Sequence, residues 1–283
     1  MTNAEAVPAF PPFALANTGV RTLHAVSNDR AYRVSTWIPP QEAPPGGFPS
    51  IWVLDANGLF GTFVEAIRRS TVRPQATGIA SAAVIGIAHD GDALFDGPGR
   101  QCDYTPGPPA FDEPSATGTH GGADAFLSFL ADELAPVLHG EHALDPARRI
   151  LFGHSLAGYL ALHALATRPA SFRTFAAISP SIWWDEARLR EHLARTKGGD
   201  ADVFIGVGER EGDLSPRNHA ADMQAIRRRS ERRMIANAQS FADTLRSFPG
   251  ERRVAFHVFP DEDHASVLMI AIQRVLRFAL ATH

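Results

Sequence analysis

The sequence predicts an α/β fold, a mostly parallel twisted sheet with an N-terminal antiparallel hairpin and helices on both faces. Short apolar runs rich in β-branched residues alternate with segments of helical periodicity along most of the chain, the pattern of a parallel sheet wrapped by helices. Two strand-like runs joined by a short polar turn precede that alternation, which adds an antiparallel edge. The third observation is local: Arg149-Ile-Leu-Phe-Gly153 runs through His154-Ser155 straight into good helix formers from Leu156.

Val20–Val26 and Ala31–Ile38 flank the turn Ser27-Asn28-Asp29-Arg30 and read as the hairpin. Pro39–Pro49 is a Pro/Gly-rich loop, and Ile51–Leu54 is a short apolar strand ending at Asp55. Thr62–Ser70 reads as a helix and Ala83–Ala88 as a buried strand. The stretch from His89 to Gly122 is rich in Gly, Pro and Asp. It reads as one long loop, a length that in a compact domain usually carries function. Ala123–Leu138 has apolar residues at helical spacing, followed by strand 149–152 and helix 156–167. Strands at Thr174–Ile178, Val203–Val207 and Arg253–Val258 then alternate with helices at Asp185–Arg195, Arg217–Ser247 and Ala265–Ala281. No internal repeat or long linker interrupts the 283 residues. Residues 1–19 therefore read as an N-terminal extension and 20–283 as a single domain.

Bulk properties narrow the function. The chain is 45% hydrophobic and 20% charged, with a net charge of −4, an ordinary globular composition that argues against a general nucleic-acid binder. Cys102 is the only cysteine, so no intrachain disulfide forms, and it has no neighbours at metal-ligand spacing. The histidines are scattered without an HExxH pattern, so neither a metal nor a cofactor is expected. The N-terminus lacks a basic segment followed by an apolar core, and no apolar run is long enough to span a bilayer. These features read as a cytoplasmic protein.

Chemistry concentrates at Gly153-His154-Ser155-Leu156-Ala157-Gly158. A serine at a strand-to-helix corner is held in a strained conformation, with its Oγ above the sheet and a helix N-terminus aimed at the same point. Ala157 stands where the Gly-x-Ser-x-Gly elbow has its second glycine, one methyl larger. Parallel sheets build their sites at the C-terminal strand ends. The strand at 203–207 runs into Gly208-Glu209-Arg210-Glu211, and the last strand into Phe259-Pro-Asp-Glu-Asp-His264. The order Ser155, acidic loop, His264 is that of the α/β-hydrolase fold. His264 is the expected proton carrier and Glu211 the carboxylate that orients it. Glu209 is the alternative carboxylate, and a Ser–His dyad without one is also open. His257 competes with His264 but lies inside an apolar strand. The oxyanion hole needs two backbone N–H groups. They are expected from Leu156 and from Asn57 in the loop Asp55-Ala56-Asn57-Gly58, with Ala56 as the alternative.

Several further residues are candidates for the substrate side. Trp183 and Trp184 either pack in the core or line a pocket suited to aryl groups. Arg100 pairs either with an anionic substrate or with Asp103. His154 is either a packing residue or a substrate contact. The basic run Arg227-Arg-Arg-Ser-Glu-Arg-Arg233 reads as a solvated helix face, or as a lure for an anionic ligand.

Taken together, Leu54-Asp-Ala-Asn-Gly-Leu-Phe60, Asp103-Tyr-Thr-Pro106 and Gly121-Gly-Ala-Asp-Ala-Phe-Leu127 resemble a known family. So do Gly153-His-Ser-Leu-Ala-Gly158, Ile178-Ser-Pro-Ser-Ile-Trp-Trp184 and Asp263-His-Ala-Ser266. The family is the "putative esterase" branch of the α/β-hydrolases, and within it the siderophore trilactone esterases related to enterochelin and salmochelin esterase. The resemblance spans roughly residues 20 to 280. It implies a serine esterase acting on a small-molecule ester, a ferric catecholate trilactone. Two departures stand near the oxyanion hole: Ala56 where the family usually has glycine, and Ala157. An acyltransferase or thioesterase would use the same residues, and a catalytically inactive binding module would keep the cleft without the chemistry.

Overall fold

The computed structural model describes residues 14–111, 113–212 and 230–281. Eight strands form one sheet: β1 (Thr18–Ala25), β2 (Arg30–Trp37), β3 (Phe48–Leu54), β4 (Ala83–His89), β5 (Leu144–His154), β6 (Thr174–Ile178), β7 (Asp202–Gly208) and β8 (Val254–Phe259). Their order is β1-β2-β4-β3-β5-β6-β7-β8. The first two strands pair antiparallel with each other, and β2 pairs antiparallel with β4. All remaining pairings are parallel. The hairpin turns at Val26–Asp29, with the Asp29 N–H donating to the Ala25 carbonyl at 3.0 Å.

Helices cover both faces, and alternation along the strands sorts the side chains. Trp52 and Leu54 point into one apolar layer and Ile51 and Val53 into the other. Helices Ala56–Ser70 and Val267–Ala279 pack on the second face. Leu156–Thr167, Glu186–Thr196 and Met234–Ser247 pack on the first. Helix Leu156–Thr167 is buried on all sides from Ala157 to Ala166, as its uncharged sequence requires. No helix among the described residues is long and apolar enough to cross a membrane.

Three segments depart from the expectations. The helix expected at Thr62 begins at Ala56, directly after β3, so the Asp55–Gly58 segment is a helix start and not a free loop. The long stretch after β4 contains a helix, Gly97–Asp103. Gly97, Pro98 and Gly99 hide it from propensity, but Pro is tolerated in a first turn whose N–H groups lack intrahelical acceptors. The Asp96 side chain caps it, accepting from the Gly99 N–H at 3.1 Å. The expected helix over Ala123–Leu138 runs as Ala123–Ser128, a π turn over Phe129–Leu134, and Ala135–Glu141. Pro136 explains the widening: it lacks an N–H and its ring crowds the carbonyl four residues back. The Ala135 N–H donates instead to Leu130, five residues back. Of the helix expected over Arg217–Ser247, the part up to residue 229 lies outside the described residues.

Helix and strand are locked together below the site by Phe63 and Phe152, whose rings meet edge to face at 4.6 Å. Phe63 is 0% exposed, and Phe152 lies three residues before Ser155. Phe63→Ala is expected to cost about 3–5 kcal/mol of stability, read as a lower denaturant midpoint in equilibrium unfolding.

Candidate active site

The strand order reverses between β3 and β5. The chain steps from β3 outward to β4, then returns to place β5 on the other side of β3. Such switch points open a crevice at the carboxyl ends of the strands. Asp55 follows β3 with φ 55° and ψ 42°, and Ser155 follows β5 with φ 60° and ψ −117°. Both are in left-handed φ territory, which costs a non-glycine residue of order 1–3 kcal/mol.

Ser155 is held there by its neighbours. Its N–H donates to the Ile178 carbonyl at 2.9 Å, and its carbonyl accepts from Tyr159 at 2.9 Å and Ser181 at 3.1 Å. Gly153 permits the corner, because a Cβ there would land inside the Ala157 carbonyl. Gly158 is less constrained, since a Cβ there would stand 3.1 Å from the Ile178 oxygen. Ala157 itself is fully buried. The closest approach therefore falls on Gly153, and the Ala157 methyl is accommodated.

Glu211 ends the 3-10 turn after β7 and is 5% exposed. Its Oε2 lies 2.7 Å from His264 Nδ1. Its Oε1 accepts from Ser179 Oγ at 2.5 Å and from the Gly208 N–H at 2.7 Å. Burial alone would raise the Glu211 pKa, but hydrogen bonds from His264, Ser179 and Gly208 outweigh it and hold the carboxyl below its ordinary range. With a carboxylate at Nδ1, the imidazole carries its proton there and presents Nε2 as an acceptor. Glu209 points elsewhere, accepting from the Asp261 N–H at 3.0 Å. His257 lies within β8, stacked on Phe204 at 5.1 Å.

Ser155, Glu211, His264, Trp183, Ser181 and Met234 line a common cavity of about 630 Å³. Glu113, Arg210, Arg232 and Asp263 also face it. The Ser155 Oγ is 3.4 Å from the Ser181 Oγ. Leu156 is the first residue of helix Leu156–Thr167, and Ala56 and Asn57 open helix Ala56–Ser70. These amides belong to first turns, where N–H groups have no intrahelical partners. The Asn57 side chain is turned away, donating to the Gly91 and Ala93 carbonyls at 3.0 Å each.

Three residues considered for substrate contact are not among those lining this cavity. Arg100 does not pair with Asp103. Its Nε donates to Asp55 at 3.1 and 3.2 Å, and its guanidinium also donates to the His154 carbonyl at 3.2 Å. It thereby ties the end of β3 to the end of β5. Asp103 faces the other way, accepting from Tyr32 at 2.8 Å and meeting His89 at 3.0 Å and Arg30 at 3.3 Å. Trp184 is buried, its indole N–H donating to the Gly107 carbonyl at 3.0 Å. His154 is buried too, and its Nε2–H donates to the backbone carbonyl of His264 at 2.8 Å. Burial, reinforced by the neighbouring His264, pulls its pKa down to about 4, so it is a neutral strut between β5 and the histidine loop. Trp183 does reach the cavity.

The structure also brings in residues without a role in the sequence reading. Ser179 and Ser181 follow β6, and small polar residues at a parallel strand's C-terminal end are a signal that sequence offers. Of the basic run, Ser230, Glu231 and Arg233 are exposed, while Arg232 is half-buried, 4.2 Å from the Trp183 ring centre and donating to Glu113 at 2.8 Å. Residues 227–229 of that run lie outside the described residues.

The family described as Putative esterase matches residues 26–261. The ferri-bacillibactin esterase BesA of Bacillus subtilis is 32% identical over 274 residues, covering 95% of this chain and 91% of that protein. The siderophore enterobactin esterase of Emericella nidulans is 32% identical over 268 residues, 86% of each chain. Among solved structures, the BES protein from Bacillus cereus is similar with a TM-score of 0.82 at 27% identity, covering 98% of this chain and 100% of that one. The chain therefore belongs to the Putative esterase family and is a carboxylic ester hydrolase of the α/β-hydrolase fold.

Proposed function

We propose that Ser155, His264 and Glu211 form the catalytic triad of this esterase, and that its substrate is a ferric catecholate siderophore trilactone. One observation carries the triad: a strained serine and a carboxylate-bound histidine line the same cavity. The Ser155 Oγ attacks the ester carbonyl while His264 Nε2 takes its proton, and Glu211 stabilises the resulting imidazolium. The amides of Leu156 and Asn57 hold the oxyanion. His264 then protonates the leaving alkoxide, and a water, deprotonated by the same imidazole, releases the acyl group. The siderophore assignment draws on the relatives, named as esterases of ferri-bacillibactin and of siderophore enterobactin. The flat Trp183 and the flexible Met234 in the cavity wall suit aryl groups.

Hydrolysis of ferric enterobactin, its iron-free form, glucosylated forms and simple aryl esters tests both parts. Ser155→Ala is expected to abolish turnover of all of them and adduct formation with a fluorophosphonate. Turnover of simple esters alone would overturn the substrate and leave the mechanism standing. Glu211→Gln is expected to lower kcat by about a thousandfold or more, because the amide no longer selects the productive tautomer. A kcat near wild type would remove Glu211 from the triad.

The neutral His154 strut links acid to stability. Its folded pKa of about 4 lies below the ordinary 6.5, so between those values the unfolded chain binds more protons. Stability is complete above pH 6.5 and falls toward pH 4 by about 3 kcal/mol from this group. Glu211, with a lowered pKa, acts in the same direction. Denaturant unfolding across that range is expected to show the loss, and His154→Gln to flatten it; an unchanged slope would exclude His154 as its source.

A further inference from the structure

The segment Ser179-Pro180-Ser181 touches both ends of the site. The Ser179 hydroxyl donates to Glu211 at 2.5 Å, and its N–H donates to the Gly206 carbonyl at 2.7 Å, with φ at 46°. Two residues on, the Ser181 N–H donates to the Ser155 carbonyl and its Oγ lies 3.4 Å from the Ser155 Oγ. Ser181 is 2% exposed yet lines the cavity. Its backbone is fixed from the other side as well, since its carbonyl accepts from the Trp184 N–H at 2.9 Å.

We infer that the Ser181 hydroxyl is a further catalytic group, donating a hydrogen bond to the Ser155 Oγ as that oxygen attacks; this rests on Ser155 being the nucleophile. A hydroxyl has one donor and two acceptor sites. Ser155 can thus accept from Ser181 and keep its own proton for His264 Nε2. In the step, that proton moves to Nε2, the Oγ–C bond forms, and the carbonyl π electrons move onto oxygen. Ser181 keeps its proton throughout. A separation of 3.4 Å is long for two hydroxyls, so the resting bond is weak. It tightens when negative charge builds on Oγ, and a contact stronger in the transition state than at rest raises kcat. The Ser181 hydroxyl faces Ser155, while His264 and Glu211 bond to each other and Glu211 to Ser179, so its removal is expected to leave the imidazole's titration in place.

The test compares wild type, Ser181→Ala and Ser181→Thr on a soluble aryl ester across pH, with fluorophosphonate labelling in parallel. For Ser181→Ala, kcat is expected to fall about tenfold or more. KM should stay within about twofold, the pH midpoint should not move, and Ser155 labelling should slow in step. Ser181→Thr, which keeps the hydroxyl, is expected to recover most of the rate. Wild-type kcat and labelling rate in Ser181→Ala would overturn the inference, as would a loss accompanied by a shifted pH midpoint or raised KM. If wild type itself forms no adduct on Ser155, the nucleophile reading fails. If Ser155 is labelled equally fast with and without the Ser181 hydroxyl, only the present inference fails.

Discussion

The φ of 60° at Ser155 is sustained because Gly153 has no Cβ to meet the Ala157 carbonyl, and most of the site follows from that close approach. It lets β5 turn into a helix without a connecting loop. The Leu156 amide then arrives beside the serine at the first turn of a buried helix. The cost of the strained backbone is offset by hydrogen bonds from and to Ser155 and by complete burial of the helix that follows.

Around that corner, neighbouring strand ends are joined by polar struts. Arg100 ties Asp55 at the end of β3 to the His154 carbonyl at the end of β5. His154 in turn holds the carbonyl of His264, beyond β8. Ser179, after β6, and Gly208, at the end of β7, both donate to Glu211. Five of the eight strands are thus connected to the site by bonds of 3.2 Å or less. Each strut is buried or half-buried, where an unpaired polar group is costly and a paired one gives rigidity. Arg100 and His154, candidates for substrate contact in sequence, make bonds within this frame.

The corner at Ser155 and the position of His264 were legible because they sit in local patterns: an apolar strand running into a helix, and a histidine loop after the last strand. Element types followed from periodicity. Boundaries moved where glycine and proline obscure them, as in helix Gly97–Asp103, or where Pro136 shifts the hydrogen bonding by one residue. Ala157 drew notice as a deviation, yet the contact that demands glycine falls on Gly153.

By itself the sequence determined the reaction class and the order of the elements, since strand–corner–helix patterning is set by neighbours along the chain. Which of Glu211 and Glu209 meets His264 was decided only in three dimensions. Two residues apart in one turn, one carboxylate faces His264 and the other the Asp261 amide. The same holds for Arg100, Trp184 and His154, whose partners lie 45, 77 and 110 positions away. Residue type and spacing specify what a side chain can bind, but packing of the strand ends decides which partner it meets.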